Sequence, residues 1–97
     1  MKLSFLSDAG DELKMAAAYY EEREEGLGTR FRDEVSKACQ RILQDPYLWR
    51  ERRGGYRRVN LPVFPYYVAY FVRDDAIIIA AISHGHRLPG YWRRRVP

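Results

Sequence analysis

The chain has 97 residues and a mass of 11.5 kDa, the size of one compact domain spanning 1–97. With 46% hydrophobic residues it is too apolar for a disordered chain, and a lone cysteine, Cys39, excludes a disulfide framework or a cysteine-based zinc finger. The net charge of +4 is unevenly divided: residues 1–48 hold seven Lys/Arg against ten Asp/Glu, whereas residues 49–97 hold ten Arg, no Lys and three Asp/Glu, so the second half favours an anionic partner.

In chain order, Lys2 to Leu6 reads as a short, edge-like first strand. Ser7 and Asp8 are N-cap residues for a helix from Asp8 to Glu25, with Ala9, Leu13, Ala16, Ala17 and Tyr20 on one stripe. Gly26 is its expected left-handed C-terminal cap. Leu27 and Gly28 make the connection to a second helix, Thr29 to Gln44, whose Phe31, Val35, Ala38 and Ile42 recur on one buried face. So short a link makes the two helices an antiparallel hairpin.

The period then changes. Residues 50–55, Arg-Glu-Arg-Arg-Gly-Gly, form a polar loop, and Tyr56 to Leu61 follows as a strand. Pro62 and Pro65 punctuate the chain before an aromatic and β-branched strand, Tyr66 to Arg73. Asp74-Asp75 make a tight turn without the usual glycine, and Ala76 to Ser83 is apolar enough for a central strand buried on both faces. The tail from His84 to Pro97 is polar and rich in Arg and aromatic residues. The order β-α-α-β-β-β predicts an α+β fold: a small antiparallel meander covered on one face by the helical hairpin, with the first strand at an edge.

No segment approaches the roughly 20 apolar residues that span a bilayer. The longest apolar run, Ala76 to Ile82, is strand-sized, and the opening Met1 to Leu6 is too short for a signal peptide. A cytoplasmic protein without membrane association is expected, and a single free cysteine suits a reducing compartment.

Three segments carry a family resemblance: Glu12-Leu13 with Ala17 to Glu21 and then Gly26-Leu27-Gly28 and Phe31; Phe64 to Tyr70; and Ile77 to His84 followed by Arg87, Pro89, Tyr91 and Trp92. Together they resemble the RelE/ParE superfamily, the toxin halves of bacterial type II toxin–antitoxin pairs. The Phe-Pro-Tyr strand start and the His84-Gly85 step are closer to ParE-like, plasmid-stabilisation members. The resemblance implies a cognate antitoxin and a hetero-oligomer with it, and no cofactor. It also implies one of two targets. RelE-type members cleave messenger RNA on the ribosome, whereas ParE-type members poison DNA gyrase without known catalysis. A member that keeps only its antitoxin partner is a third possibility.

A RelE-type endoribonuclease needs cations around the phosphate with a proton acceptor and a donor. The residues here that match such a set are Arg58, His84, Arg87 and Tyr91. The match is incomplete: Asn60 replaces a second basic residue, Tyr67 replaces an Arg, and Tyr91 lies closer to Arg87 than the family's Tyr does. Glu51 with His84 or His86 supplies the residue types of a Glu/His pair, although Glu51 more simply offsets its Arg neighbours. His84 and His86 lack further ligands for a metal. For binding a target or antitoxin, the candidates are Arg50, Arg52, Arg53, Arg57, Arg58, Arg93, Arg94 and Arg95, whose planar forks suit phosphate or carboxylate. Tyr91 and Trp92 are expected to fold back over the core. Cys39 has no activating neighbour and is read as packing.

Overall fold

The alternation of short apolar runs and two amphipathic stretches becomes six regular elements in the computed structural model, which describes residues 1–96. They are β1 (Lys2–Phe5), α1 (Ser7–Arg23), α2 (Leu27–Gln44), β2 (Arg57–Asn60), β3 (Tyr66–Arg73) and β4 (Ala76–His84), followed by a 3-10 turn at Arg93–Arg95. The sheet order is β1-β4-β3-β2. The meander is antiparallel as expected, and β1 joins its edge in parallel to β4, so the sheet is mixed. Asp74 and Asp75 turn β3 into β4 with φ of 49° and 64°, the two left-handed residues a tight hairpin requires. Among the described residues, no helix is long and apolar enough to cross a membrane.

The helix boundaries differ from expectation in two places. Leu6, not Ser7 or Asp8, occupies the N-cap of α1, and no side chain caps it. Gly26 is left-handed as expected (φ 87°), but it is the N-cap of α2, and α1 already ends at Arg23. The reason is Glu21. Its carboxylate accepts the N–H of Gly26 at 2.9 Å and of Gly28 at 3.0 Å. These amides hold the Glu21 carboxyl below its usual range, Gly26 contributing most. With its free N–H groups satisfied by an acid, α2 begins at Leu27, ahead of the expected Thr29.

The predicted stripe of α2 is buried in full: Phe31, Val35, Ala38 and Ile42 are at most 2% exposed. They pack with Val68, Tyr70, Ile77, Ile79 and Ile82 of the sheet. An extra residue in β4, Ala80, shifts its register against β3, because Ala69 pairs with Ala81 and Tyr70 with Ile79. Ala80 and Ala81 consequently both face away from the helices. That second face is not open. Trp92 lies on it, fully buried, with Tyr56, Tyr67, Ala69 and Phe71. The C-terminal segment is therefore a third layer, and both faces of the sheet are covered.

Candidate functional site

The short length of β1 creates the first cluster. β1 pairs with β4 only as far as Phe5 opposite Ile79. Beyond that point β4 keeps β3 on one side but has no strand on the β1 side, yet Ile82 and Ala80 are buried and their polar groups on that side need partners. Glu12 of α1 accepts the Ile82 N–H at 3.0 Å, and Arg95 donates to the Ala80 carbonyl at 3.1 Å. Glu12 and Arg95 are themselves joined by hydrogen bonds of 3.0 and 3.2 Å. Tyr91 donates its hydroxyl to Glu12 at 2.7 Å. Arg87 reaches the same carboxylate at 3.7 Å while stacking 3.6 Å above the Tyr91 ring, and Asp8 meets Arg95 at 3.4 Å.

The electrostatics follow. Burial opposes the charge on Arg95, but the hydrogen bond and charge of Glu12 outweigh it, and its pKa is raised. Tyr91 is pushed up to about 12, chiefly by burial, with Glu12 adding to the effect and Ser83 opposing it. A phenol so placed holds its proton and is a poor acid or base near neutrality.

The residues of the RelE-like set do not meet in one hollow. His84 and Arg87 line a groove of about 270 Å³ with Glu12, Met15, Tyr19 and Tyr66. Arg58 lines a different hollow of about 310 Å³, with Asn60, Tyr67 and His86. Its guanidinium sits 4.4 Å from the Tyr67 ring centre. His84 accepts the His86 backbone N–H on Nδ1 at 3.1 Å and packs edge-on to Tyr66, while His86 is exposed. Glu51 pairs with Arg57 at 3.4 Å, and Arg57 also donates to the Trp49 carbonyl at 2.6 Å. Burial pushes the Cys39 thiol up to about 11, as for an unreactive cysteine.

The binding set divides more usefully. Arg57 and Arg95 are occupied within the chain. Arg94 is exposed on the 3-10 turn. Arg50, Arg52, Arg53 and Arg93 line one hollow of about 270 Å³ with Tyr56 and Pro89. The hairpin-like bridge of Arg52 to Tyr56 bends the loop so that its arginines project beside the C-terminal segment. Arg93 donates to the Arg53 carbonyl at 3.2 Å, tying the two segments together. Arg52 has its pKa lowered, first by burial and then by Arg58 and Arg50 nearby.

Glu12 is the functional-cluster residue that residue patterns did not single out. The available signal was its place in the α1 stripe: an acid three residues after Ala9 and four before Ala16, both buried. A carboxylate on a buried face requires a partner.

A family model described as "ParE toxin of type II toxin-antitoxin system, parDE" matches residues 3–89. The protein named Toxin ParE2 from Mycobacterium tuberculosis is 37% identical over 83 residues, covering 81% of this chain and 76% of that protein, in strains CDC 1551 and H37Rv alike. Among solved structures, a chain from the chromosomal ParDE TA system of P. aeruginosa superposes with a TM-score of 0.75 at 18% identity, covering 87% of this chain and 95% of that one.

Proposed function

This chain belongs to the ParE toxin family and is the toxin component of a type II toxin–antitoxin system, and on that premise we propose that it acts by binding and inhibiting DNA gyrase. The observation that carries the reading is the contrast between two groups of side chains. The groups a nuclease would use are divided between separate hollows, and the Tyr91 hydroxyl is committed to Glu12. Four arginines, by contrast, converge on one open hollow. Such a surface grips an anionic target without chemistry on it. The partner that restrains the toxin is its cognate antitoxin, in a hetero-oligomer formed in the cytoplasm.

The test has two arms. Induced expression should arrest growth with filamentation, and antitoxin co-expression should relieve it. The purified chain should inhibit supercoiling by gyrase. Cleavage of ribosome-bound messenger RNA with supercoiling unaffected would replace this reading with the endoribonuclease one.

A further inference from the structure

The hollow of about 310 Å³ beside the loop that joins β2 to β3 is separate from the arginine hollow proposed for the target. Leu61, Phe64, Pro65 and Tyr66 line its apolar part, and Arg58 and Tyr67 line its polar part. Both polar side chains lack partners that their burial requires. Tyr67 is 2% exposed, and its hydroxyl is buried without a hydrogen bond. Ser83 and Arg58 lie beside that hydroxyl, but Ser83 Oγ donates to the His84 carbonyl at 3.2 Å. The Nε–H of Arg58 is likewise buried and unbonded, and Arg58 enters no ion pair among the described residues. Its guanidinium is positioned by stacking, 4.4 Å from the Tyr67 ring centre. Buried donors without acceptors are destabilising, and a bound acceptor would offset that cost.

The apolar side is a strained loop. Phe64 donates its N–H to the Pro62 carbonyl at 2.8 Å, closing a three-residue turn on Val63, whose φ is 71°. Such a left-handed turn is rare, and at a β-branched residue it persists only where the surrounding structure enforces it. Here the Leu61 N–H bonds the Tyr66 carbonyl at 2.9 Å and the Gly85 N–H bonds the Pro65 carbonyl at 2.8 Å, which fixes the ends of the loop. Strain of this kind recurs at ligand clamps.

The donor set decides among anions. Among the described residues, Arg58 is the one guanidinium at this hollow, and the only other basic side chain there is the exposed imidazole of His86. A phosphate monoester carries nearly two charges at neutral pH, more than one fork neutralises. A carboxylate carries one, and its two oxygens match the planar fork of a guanidinium. The apolar side chains are covered only if that carboxylate brings an apolar body with it. We propose that this hollow binds a carboxylate borne on an apolar or aromatic group, with Arg58 as the fork and the Tyr67 hydroxyl as a further donor. The guanidinium swings off the Tyr67 ring toward the carboxylate, a movement that no hydrogen bond or ion pair of its own resists, and so uncovers the hydroxyl. A free organic acid and the C-terminal residue of a peptide both present this chemistry.

The experiment titrates the full chain with phenylacetate, read by calorimetry and by the NMR resonance of the Arg58 Nε–H. Saturable binding with a Kd of about 1 mM is expected for so small a ligand. Phenylacetamide, the same body without the charge, should bind at least roughly tenfold more weakly. Arg58→Gln should abolish binding in a chain that still folds by circular dichroism, since the side chain gives up no ion pair. Tyr67→Phe should weaken binding about three- to tenfold. It should also leave the Tm of the free chain unchanged or raise it, because it removes an unsatisfied buried hydroxyl. N-acetylphenylalanine separates the two sources while supporting the site either way: tighter binding than phenylacetate assigns a peptide C-terminus, and equal or weaker binding assigns a free acid. The site is overturned if the amide matches the acid, if phenyl phosphate binds more tightly than phenylacetate, or if Arg58→Gln binds like the parent chain. A fall of about 4 °C or more in the Tm of free Tyr67→Phe would also overturn it, by showing a hydroxyl already bonded. None of these readouts involves gyrase, so their failure leaves the proposed target standing, and failure of that target leaves this site standing.

Discussion

Glu12 and Arg95 lie 83 positions apart and meet through two hydrogen bonds, 3.0 Å from Nη1 to Oε1 and 3.2 Å from Nη2 to Oε2. Each also bonds the β4 backbone, at Ile82 and Ala80 respectively. The pair therefore occupies the place that two more residues of β1 would have filled, and it ties α1, β4 and the C-terminal segment at one point.

Glu12→Ala should lower stability by about 2–4 kcal/mol, because it leaves the Arg95 charge and the Ile82 N–H without their acceptor. Urea denaturation provides the measurement. Arg95→Ala should cost a similar amount, and the double variant less than the sum. A loss under about 0.5 kcal/mol for Glu12→Ala would mean that solvent screens the cluster.

Two glycines should respond in opposite directions to the same methyl group. At Gly28 a Cβ would lie 2.5 Å from the Ala17 carbonyl oxygen and 2.9 Å from the Glu21 side chain, both on α1. Gly28→Ala should destabilise the fold by about 1–3 kcal/mol, a fall in Tm of roughly 4–8 °C per kcal/mol. At Gly10, inside α1, nothing lies within 4 Å. Gly10→Ala should raise stability by about 0.5–1 kcal/mol. Thermal melts of the two variants side by side test both signs.

Alkaline pH should weaken the fold in a defined window. Burial pushes Tyr70 up to about 12, against Arg57, while its hydroxyl donates to the Pro46 carbonyl at 2.7 Å. Tyr91 is raised to about 12 as well, again mainly by burial. A tyrosine whose folded pKa lies above its unfolded value keeps its proton longer in the native state. Its stabilising contribution is complete below pH 10 and is lost between about pH 10 and 12. Urea midpoints across that range should fall, and Tyr70→Phe should flatten the slope. A flat wild-type profile would contradict the assignment.

Tyr91→Phe separates a binding toxin from a nuclease. If Tyr91 only donates to Glu12, the variant should still arrest growth on induction while losing about 1.5–3 kcal/mol of stability. Complete loss of toxicity in a variant that still folds, read by circular dichroism, would restore Tyr91 as a proton donor.

Arg87→Ala addresses the other half of the nuclease set. Its guanidinium is engaged by Glu12 and the Tyr91 ring, at an exposed position. Supercoiling inhibition should survive this substitution, with a stability change within about 1 kcal/mol. Loss of ribosome-dependent RNA cleavage in this variant, with such cleavage present in the parent chain, would instead favour the enzyme.

How much was legible varied with the reach of each signal. The α2 stripe of Phe31, Val35, Ala38 and Ile42 is legible in the sequence because helical periodicity is local, and all four residues are buried. The run Ala76 to Ser83 announced a central strand for the same reason, and β4 lies between β1 and β3. Gly26 is left-handed, as a glycine after a helical stretch predicts, but it caps the start of α2 and not the end of α1. Its role depends on the Glu21 side chain crossing the turn, which no periodicity records. Trp92 was expected to fold back, yet its complete burial as part of a third layer depends on the sheet face it covers.

The α+β order, the two helix faces, the excess of arginine in the second half and the resemblance to a toxin family can all be read along the chain, because each is a property of neighbouring residues or of a linear pattern. Which arginines remain available depends on the folded arrangement. Glu12 takes Arg87 and Arg95, Glu51 takes Arg57, and the hollow gathers Arg50, Arg52, Arg53 and Arg93. Arginines alike in sequence become unlike because a guanidinium's partner is set by what folding brings within about 4 Å of it, and charge counted along a chain carries no such distance.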